Sequence, residues 1–188
     1  LTMTFSDIGL DKNIQKAISD LGFKQPTPIQ SESIPFLLAE ENDLIALAQT
    51  GTGKTAAFGL PIIQKIEIES KQTQAIILCP TRELCLQITK DLGTYAKYTK
   101  GLRITAVYGG TNIQIQIKAL NSGSQIVVGT PGRVIDLIKR KKLKLGHIKY
   151  VVLDEADEML NMGFKEDLDT ILAETPEEKR TLLFSATM

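Results

Sequence analysis

The residues whose types and spacing suit chemistry are Gly51-Thr52-Gly53-Lys54-Thr55 and, a hundred residues on, Asp154-Glu155. Glycines let consecutive backbone N–H groups turn inward around an anion, and a helix opening at Lys54 adds the partial positive charge of its N-terminus. In that setting Lys54 meets the β- and γ-phosphates of a nucleotide and Thr55 offers its hydroxyl to Mg²⁺. The usual pattern starts with glycine; here Ala48 stands at that position, followed by Gln49 and Thr50, and alanine is small enough for the turn. Asp154 closes an apolar run and suits a Mg²⁺ ligand, while Glu155 suits the orientation and deprotonation of an attacking water. Each signal has a plain structural counterpart. A glycine-rich turn precedes many helices, and an acidic run such as 154–158 is common in a first helical turn. Together they favour phosphate chemistry.

These residues need a frame. At about 150 residues per domain, 188 residues predict one domain over 1–188. With 43% hydrophobic and 23% charged residues, the chain is neither disordered nor collagen-like. No apolar run reaches the ~18 residues of a membrane span, and the N-terminus lacks the basic start and apolar core of a secretory signal. Cys79, Cys85 and the single His147 are too few for a disulfide framework or a metal cluster, which points to a reduced, cytoplasmic protein. Six apolar runs, 44–48, 75–79, 104–108, 125–129, 150–154 and 181–185, read as buried strands. Helical spacing fills 11–21, 27–39, 53–66, 82–98, 112–120, 132–140 and 165–173. The alternation predicts an α/β domain, a mostly parallel central sheet with helices on both faces.

In such sheets ligands gather at the carboxyl ends of the strands. There the chain reads Ala48–Thr55, Pro80-Thr81-Arg82-Glu83-Leu84, Gly109-Gly110, Thr130-Pro131-Gly132-Arg133, Asp154-Glu155-Ala156-Asp157 and Ser185-Ala186-Thr187. The net charge of zero hides a polarity. Residues 80–144 hold twelve Lys and Arg against Glu83, Asp91 and Asp136, and the remainder carries the compensating acids. That asymmetry hints at an anionic partner.

In this order the strand-end sequences resemble the N-terminal RecA-like P-loop NTPase domain of the DEAD-box RNA helicases, from Phe5 to Thr187. The resemblance implies a nucleotide-reading Q motif at about 5–33, here Gly22-Phe23-Lys24-Gln25-Pro26-Thr27-Pro28-Ile29-Gln30. In it Gln30 reads the adenine edge and Phe23 packs on the base, with Gln25 beside them. An amide donates and accepts at once, as adenine's edge requires. The segment also reads as a helix start, with Thr27 as N-cap and Pro28 in the first turn. By the same resemblance Pro80, Thr81, Arg82, Gly109, Gly110, Thr130, Pro131, Gly132 and Arg133 contact RNA. Backbone amides, hydroxyls and guanidiniums suit sequence-independent phosphate and sugar contacts, and with aromatic residues at 5% base stacking is disfavoured. Ser185 and Thr187 couple hydrolysis to strand separation, their hydroxyls bonding the carboxylates of 154–157.

The resemblance further implies ATP with Mg²⁺, held by Thr55 and Asp154, no membrane partner, and a second RecA-like domain that brings arginine fingers. That domain is not among these residues. An arginine finger contributes about 10³–10⁵ in rate in P-loop NTPases, so this polypeptide alone is expected to bind nucleotide and RNA weakly and not to unwind duplexes. Two other readings are a nucleotide-independent scaffold, disfavoured by intact Lys54, Thr55, Asp154 and Glu155, and a small-molecule kinase, which leaves Gln30 unexplained. The run Lys139-Arg140-Lys141-Lys142-Leu143-Lys144 reads as a solvated helix C-terminus ahead of the alternative, an RNA contact. Cys79, Cys85, Met159 and Met162 read as packing residues.

Overall fold

The computed structural model describes residues 3–187. A 3₁₀ turn at Phe5–Asp7 leads into α1 (Lys12–Asp20) and α2 (Pro28–Ala39), followed by β1 (Leu44–Leu47), α3 (Lys54–Lys65), β2 (Ala75–Leu78), α4 (Arg82–Tyr95), β3 (Ile104–Val107), α5 (Ile113–Asn121), β4 (Ile126–Gly129), α6 (Pro131–Lys139), β5 (Tyr150–Asp154), α7 (Ala156–Asn161), α8 (Lys165–Ala173) and β6 (Arg180–Ser185). The strands form one sheet in the order β1-β6-β5-β2-β4-β3. Every neighbouring pair is parallel. The sheet is thus wholly parallel where the sequence predicted mostly parallel.

Strand order accounts for two cores. From β1 to β3 the chain steps one way across the sheet, and from β3 to β6 it steps back. Right-handed crossovers then place the intervening helices on opposite faces. On one face α1–α4 pack over Ala75, Ile77, Ile126, Val128, Tyr150 and Val152. On the other α5–α8 pack over Ile76, Leu78, Val127, Val151 and Leu153. Odd and even residues of one strand feed different cores because side chains alternate across the pleat. That double burial is why the strands read as unbroken apolar runs rather than alternating ones.

Several bounds differ from the sequence expectation. α4 ends at Tyr95, not 98, and α7, absent from the predicted set, is a separate short helix after Glu155. Helices α2 and α3 continue through Pro35 and Pro61; an interior proline is disfavoured by the missing N–H, but both helices are held by burial against the sheet. Met159 is core, as expected, whereas Met162 is half exposed. Both cysteines are buried free thiols. No helix of the described residues is long and apolar enough to cross a membrane.

Gly129 ends β4 at the point where two layers meet. A Cβ there would lie 2.4 Å from Val134 Cγ2 and 2.8 Å from Val107 Cγ2, and β-branched side chains have few rotamers into which to retreat. Gly129→Ala is expected to cost about 1–3 kcal/mol, the usual range for overpacking, read as a lower urea midpoint with an unchanged m-value.

Candidate functional site

All the strand-end motifs lie along one edge of the sheet, and strand order sorts them. Strands β1, β6 and β5 carry the glycine loop, Ser185–Thr187 and Asp154-Glu155; strands β2, β4 and β3 carry Pro80–Arg82, Thr130–Arg133 and Gly109-Gly110. One half of the ridge therefore holds the residues suited to a nucleotide, and the other those suited to a polyanionic strand.

The glycine loop turns into α3 at Gly53, whose φ of 83° lies in the left-handed region, as does Gly51. Two side chains of the α2 N-terminus clamp this loop. The Thr27 hydroxyl donates to the Thr52 carbonyl at 2.8 Å, and Gln30 Nε2 donates to the Gly53 carbonyl at 3.1 Å. Gln30 Oε1 accepts from the Thr27 N–H at 3.0 Å. A Cβ at residue 53 would lie 2.4 Å from Gln30 Nε2, so glycine is required there by both conformation and space. The sequence offered Gln30 either as adenine reader or as part of a helix start. The structure shows the helix-start role and adds a bond to the loop, leaving one amide hydrogen and one oxygen lone pair uncommitted. A cavity of about 560 Å³ borders this clamp and the loop, with Thr27, Glu32, Gln49 and Thr52 among its lining. Phe23 packs against Phe5 and Tyr95, centroids 6.1 and 6.3 Å away, and remains partly exposed. Gln25 is exposed.

Lys54, the first residue of α3, buries its ammonium between two acids. Nζ lies 3.1 Å from Asp154 Oδ1 and 3.5 Å from Glu155 Oε1. Asp154 is fully buried, and neither carboxylate oxygen has a hydrogen-bond partner; the contact to Lys54 is a charge pair without hydrogen-bond alignment. Burial pushes the Asp154 carboxyl above the ordinary carboxylate range, against the lowering pull of Lys54. An orphaned buried carboxylate oxygen, with the Thr55 hydroxyl in the adjoining first turn of α3, fits a hard divalent cation. Such an ion takes one or two protein oxygens and fills its shell with water and phosphate oxygens.

Glu155 has φ 54° and ψ 51°, left-handed backbone in a non-glycine residue, immediately before α7. That conformation costs about 1–2 kcal/mol and turns the chain sharply between Asp154 on the strand and Ala156 in the helix. Spacing gave no sign of it. Beyond it, Thr187 Oγ1 donates to Asp157 Oδ2 at 3.0 Å, and Ser185 Oγ donates to the Thr187 carbonyl. Burial tends to raise the Asp157 carboxyl, but hydrogen bonds led by that of Thr187 outweigh it and hold it below the ordinary range. Of the two hydroxyls expected on the 154–157 carboxylates, the hydrogen bond seen is that of Thr187.

On the other half of the ridge Pro80, Arg82, Gly109, Thr130, Gly132 and Arg133 line one shallow cleft of about 450 Å³, together with the acid Asp136 and the ring of Phe164. Thr81 caps α4, its Oγ1 accepting from the Leu84 N–H at 3.2 Å, so its hydroxyl hydrogen is available to a ligand. The Arg82 guanidinium lies over the Tyr108 ring, 5.0 Å from its centroid, with its Nη1 close to Gly110. Arg133 is more committed than its sequence suggested: it donates to Gln116 Oε1 at 2.9 Å and to the Thr111 carbonyl at 3.2 Å. Gln116, buried on α5, also donates to the Tyr108 carbonyl. Tyr108, Gln116 and Phe164 escaped sequence reading because their roles rest on contacts between elements; only the position of Tyr108 before Gly109 offered a hint.

The charge asymmetry divides differently in space. Of the twelve basic residues in 80–144, the cleft itself holds Arg82 and Arg133. Most of the others, including the 139–144 run, sit past the carboxyl ends of α4, α5 and α6, at the opposite end of the sheet. The coincidence of basic segment and strand-end motifs in sequence is not a coincidence of position.

Residues 27–188 match the DEAD/DEAH box helicase family. Over 184 residues the chain is 56% identical to an ATP-dependent RNA helicase, CshA, of Listeria monocytogenes, covering 98% of this chain and 35% of that protein. It is 51% identical over 186 residues to the ATP-dependent RNA helicase DeaD of Haemophilus influenzae, covering 99% and 30%. The crystal structure of a DEAD box protein from the hyperthermophile Methanococcus jannaschii superposes with a TM-score of 0.94 at 48% identity, covering 99% of this chain and 50% of that one. The chain thus spans about a third of the length of these curated relatives.

The Lys54–Asp154 pair makes a stability prediction free of any ligand. Lys54→Ala leaves a buried carboxylate without its counter-charge, a change expected to cost about 3–5 kcal/mol. Asp154→Asn in the same background is expected to recover most of the loss. Because burial raises the Asp154 carboxyl, the folded state binds its proton more tightly than the unfolded chain, so stability from this group falls as pH rises through its native value. The Lys54→Ala penalty should therefore be larger at pH 8 than at pH 5 in urea melts without nucleotide. A penalty independent of pH and of Asp154→Asn would contradict the pairing.

Proposed function

Since the chain belongs to the DEAD/DEAH box helicases, we propose that it is the nucleotide-binding RecA-like domain of a cytoplasmic ATP-dependent RNA helicase, one that locally separates or remodels RNA duplexes. The observation that carries this reading is the Lys54 ammonium buried between Asp154 and Glu155 at the mouth of a glycine loop. An ammonium held by carboxylates alone is in a low-dielectric site where a triphosphate competes strongly for it. On nucleotide entry Lys54 turns toward the β- and γ-phosphates, and the N–H groups of Gly51, Thr52 and Gly53 with the α3 N-terminus take the remaining charge. Thr55 and Asp154 would hold Mg²⁺, which when bound would neutralise charge developing on the phosphates. Released from Lys54, Glu155 accepts at Oε1 the proton of a water in line with the γ-phosphate. Gln30, already fixed to the Gly53 carbonyl, uses its uncommitted donor and acceptor on the adenine edge, and Phe23 offers the ring that packs on the base with Gln25 alongside. Ala48, Gln49 and Thr50 form the approach to the loop.

The cleft on the β2-β4-β3 half takes the RNA backbone. Thr81 and Thr130 hydroxyls, the Gly109, Gly110 and Gly132 amides and the Arg82 guanidinium suit phosphate and sugar, with Pro80 and Pro131 opening the helices whose N-termini face it. Within the nucleotide half, Thr187 and Ser185 tie the end of β6 to Asp157 of α7, the contact through which the state of the site is passed on. A second RecA-like domain closes over both halves in the whole protein. ATP favours closure only by its differential affinity for the closed form. The two free thiols accord with a reducing compartment.

Calorimetry of the 188-residue chain with ADP and ATP tests the nucleotide assignment. Wild type is expected to bind both, and Lys54→Ala to weaken ATP binding by at least about tenfold, the loss of one charge-assisted contact. Asp154→Asn should remove the gain in ATP affinity that Mg²⁺ gives wild type. Equal binding by wild type and Lys54→Ala would instead favour a nucleotide-independent scaffold.

A further inference from the structure

We propose that the end of the sheet opposite the nucleotide and strand-end cleft is a second, independent RNA-binding surface, which grips the phosphate backbone of structured RNA flanking the strand being remodelled. The loops that precede β2, β4 and β5 meet there around a cavity of about 330 Å³ lined by Lys71, Gln72, Thr73, Asn121 and the segment Lys141, Lys142, Leu143 and Lys144, with the half-buried Leu120 at its wall. Four lysines line it and no acid does. Among the described residues none of the four has a carboxylate within 4 Å, whereas neighbouring Arg140 and Lys149 are paired with Asp136 and Glu67. Lys100, Arg103 and Lys118 add exposed positive charge at the same end.

The ordinary explanation is that these lysines neutralise helix C-termini. Two helices, α5 and α6, end here, and their dipoles together amount to about one negative charge, too little for four ammonium groups. Most of the terminal carbonyls are also already bonded to backbone: Arg140, Lys141, Lys142 and Leu143 N–H groups donate to Asp136, Ile138 and Leu137, and Ser122 and Gly123 to Lys118 and Leu120. Lys141 occupies a left-handed position, φ 57°, after the end of α6, where glycine is the unstrained residue. The lysines are therefore surplus to local structure.

Charge without an apolar anchor selects the partner. Protein interfaces centre on buried aromatic or aliphatic anchors, and no large hydrophobic residue is exposed among those lining this cavity. Flexible ammonium groups beside amide and hydroxyl side chains instead suit phosphates, which accept charge and hydrogen bonds irrespective of sequence. Strands of four or five residues at about 3.3 Å per residue put some 13–17 Å of sheet between this surface and the other end. A helix flanking a strand held in the strand-end cleft covers that distance with its rigid backbone. The surface does not depend on the RNA assignment of the strand-end cleft, only on the partner being RNA.

The test is the affinity of the 188-residue chain for an RNA hairpin with a single-stranded tail, measured by fluorescence anisotropy from 50 to 200 mM KCl. The variant carries Lys71→Gln, Lys141→Gln, Lys142→Gln and Lys144→Gln. Each phosphate contact contributes about 0.9 to the slope of log K against log salt on a duplex. The variant is expected to bind at least about tenfold more weakly at 50 mM salt, with a slope shallower by at least about one, while its affinity for ADP is unchanged. A slope change below one, or competition by oligoglutamate as effective as by RNA of equal charge, would overturn the proposal, the latter pointing to an acidic protein. Arg82→Gln, at the other end, separates the two surfaces: loss only there condemns this one, and loss only in the lysine variant condemns the cleft. Should the lysine variant melt early, photo-crosslinking of wild type to 4-thiouridine-labelled hairpin replaces it. Crosslinks to peptides containing 141–144 are expected, and crosslinks confined to peptides containing Arg82 and Arg133 would refute it.

Discussion

A buried ammonium between two carboxylates is the interaction on which the nucleotide half of this domain depends. Lys54 comes from the first turn of α3, Asp154 from the end of β5 and Glu155 from the turn beyond, and β6 lies between their strands in the sheet. In the folded chain each group compensates the others, and none is fully satisfied: both Asp154 oxygens lack hydrogen bonds. A cluster of two carboxylates on one ammonium, with a negative charge in excess and short of hydrogen bonds, is costly for a fold. It is well suited to exchange partners when phosphate oxygens and a divalent cation enter, because every group gains by the exchange.

The geometry around that cluster is held from outside it. Thr27 and Gln30 tie the glycine loop to α2 through the carbonyls of Thr52 and Gly53, so its amides are free to face inward. The left-handed turn at Glu155 sets the angle between β5 and α7, and Thr187 fastens Asp157 of α7 to the end of β6. Gln30, the glycine loop and the Asp154–Asp157 segment are thereby joined through backbone and hydrogen bonds. The neighbouring cleft is built the same way, with Tyr108 supporting Arg82 and Gln116 holding Arg133.

Strand order converts this local geometry into a division of labour. The two halves of the ridge meet where β5 lies beside β2, so Asp154 and Leu153 end one strand next to the strand that leads to Pro80. The two halves of the ridge are separated there by one strand spacing, about 4.8 Å.

Much of this was legible in the residues themselves. Unbroken apolar runs such as Ala75–Leu78 announce strands covered on both faces, because in a parallel sheet odd and even side chains each find a core. The glycine loop, Lys54, Thr55 and Asp154 stand out as a candidate site because phosphate loops impose a local spacing on consecutive residues, and the fold does bring Lys54 to Asp154. What depends on pairing between distant segments was not legible. The sequence does not record that β1 lies beside β6, that Gln30 bonds the Gly53 carbonyl, that Arg133 is occupied by Gln116, or that Glu155 turns left-handed. Charge shows the limit most clearly: counted along the chain, residues 80–144 join the basic run to the strand-end motifs, but each helix carries the chain from one end of the sheet to the other. Residues thirty apart in sequence can share a cleft, while residues eight apart, such as Arg133 and Lys141, lie at opposite ends. Local runs of residues announce candidate groups and a parallel sheet to gather them; which groups meet follows from strand order and helix direction, and these are settled by packing over the whole domain.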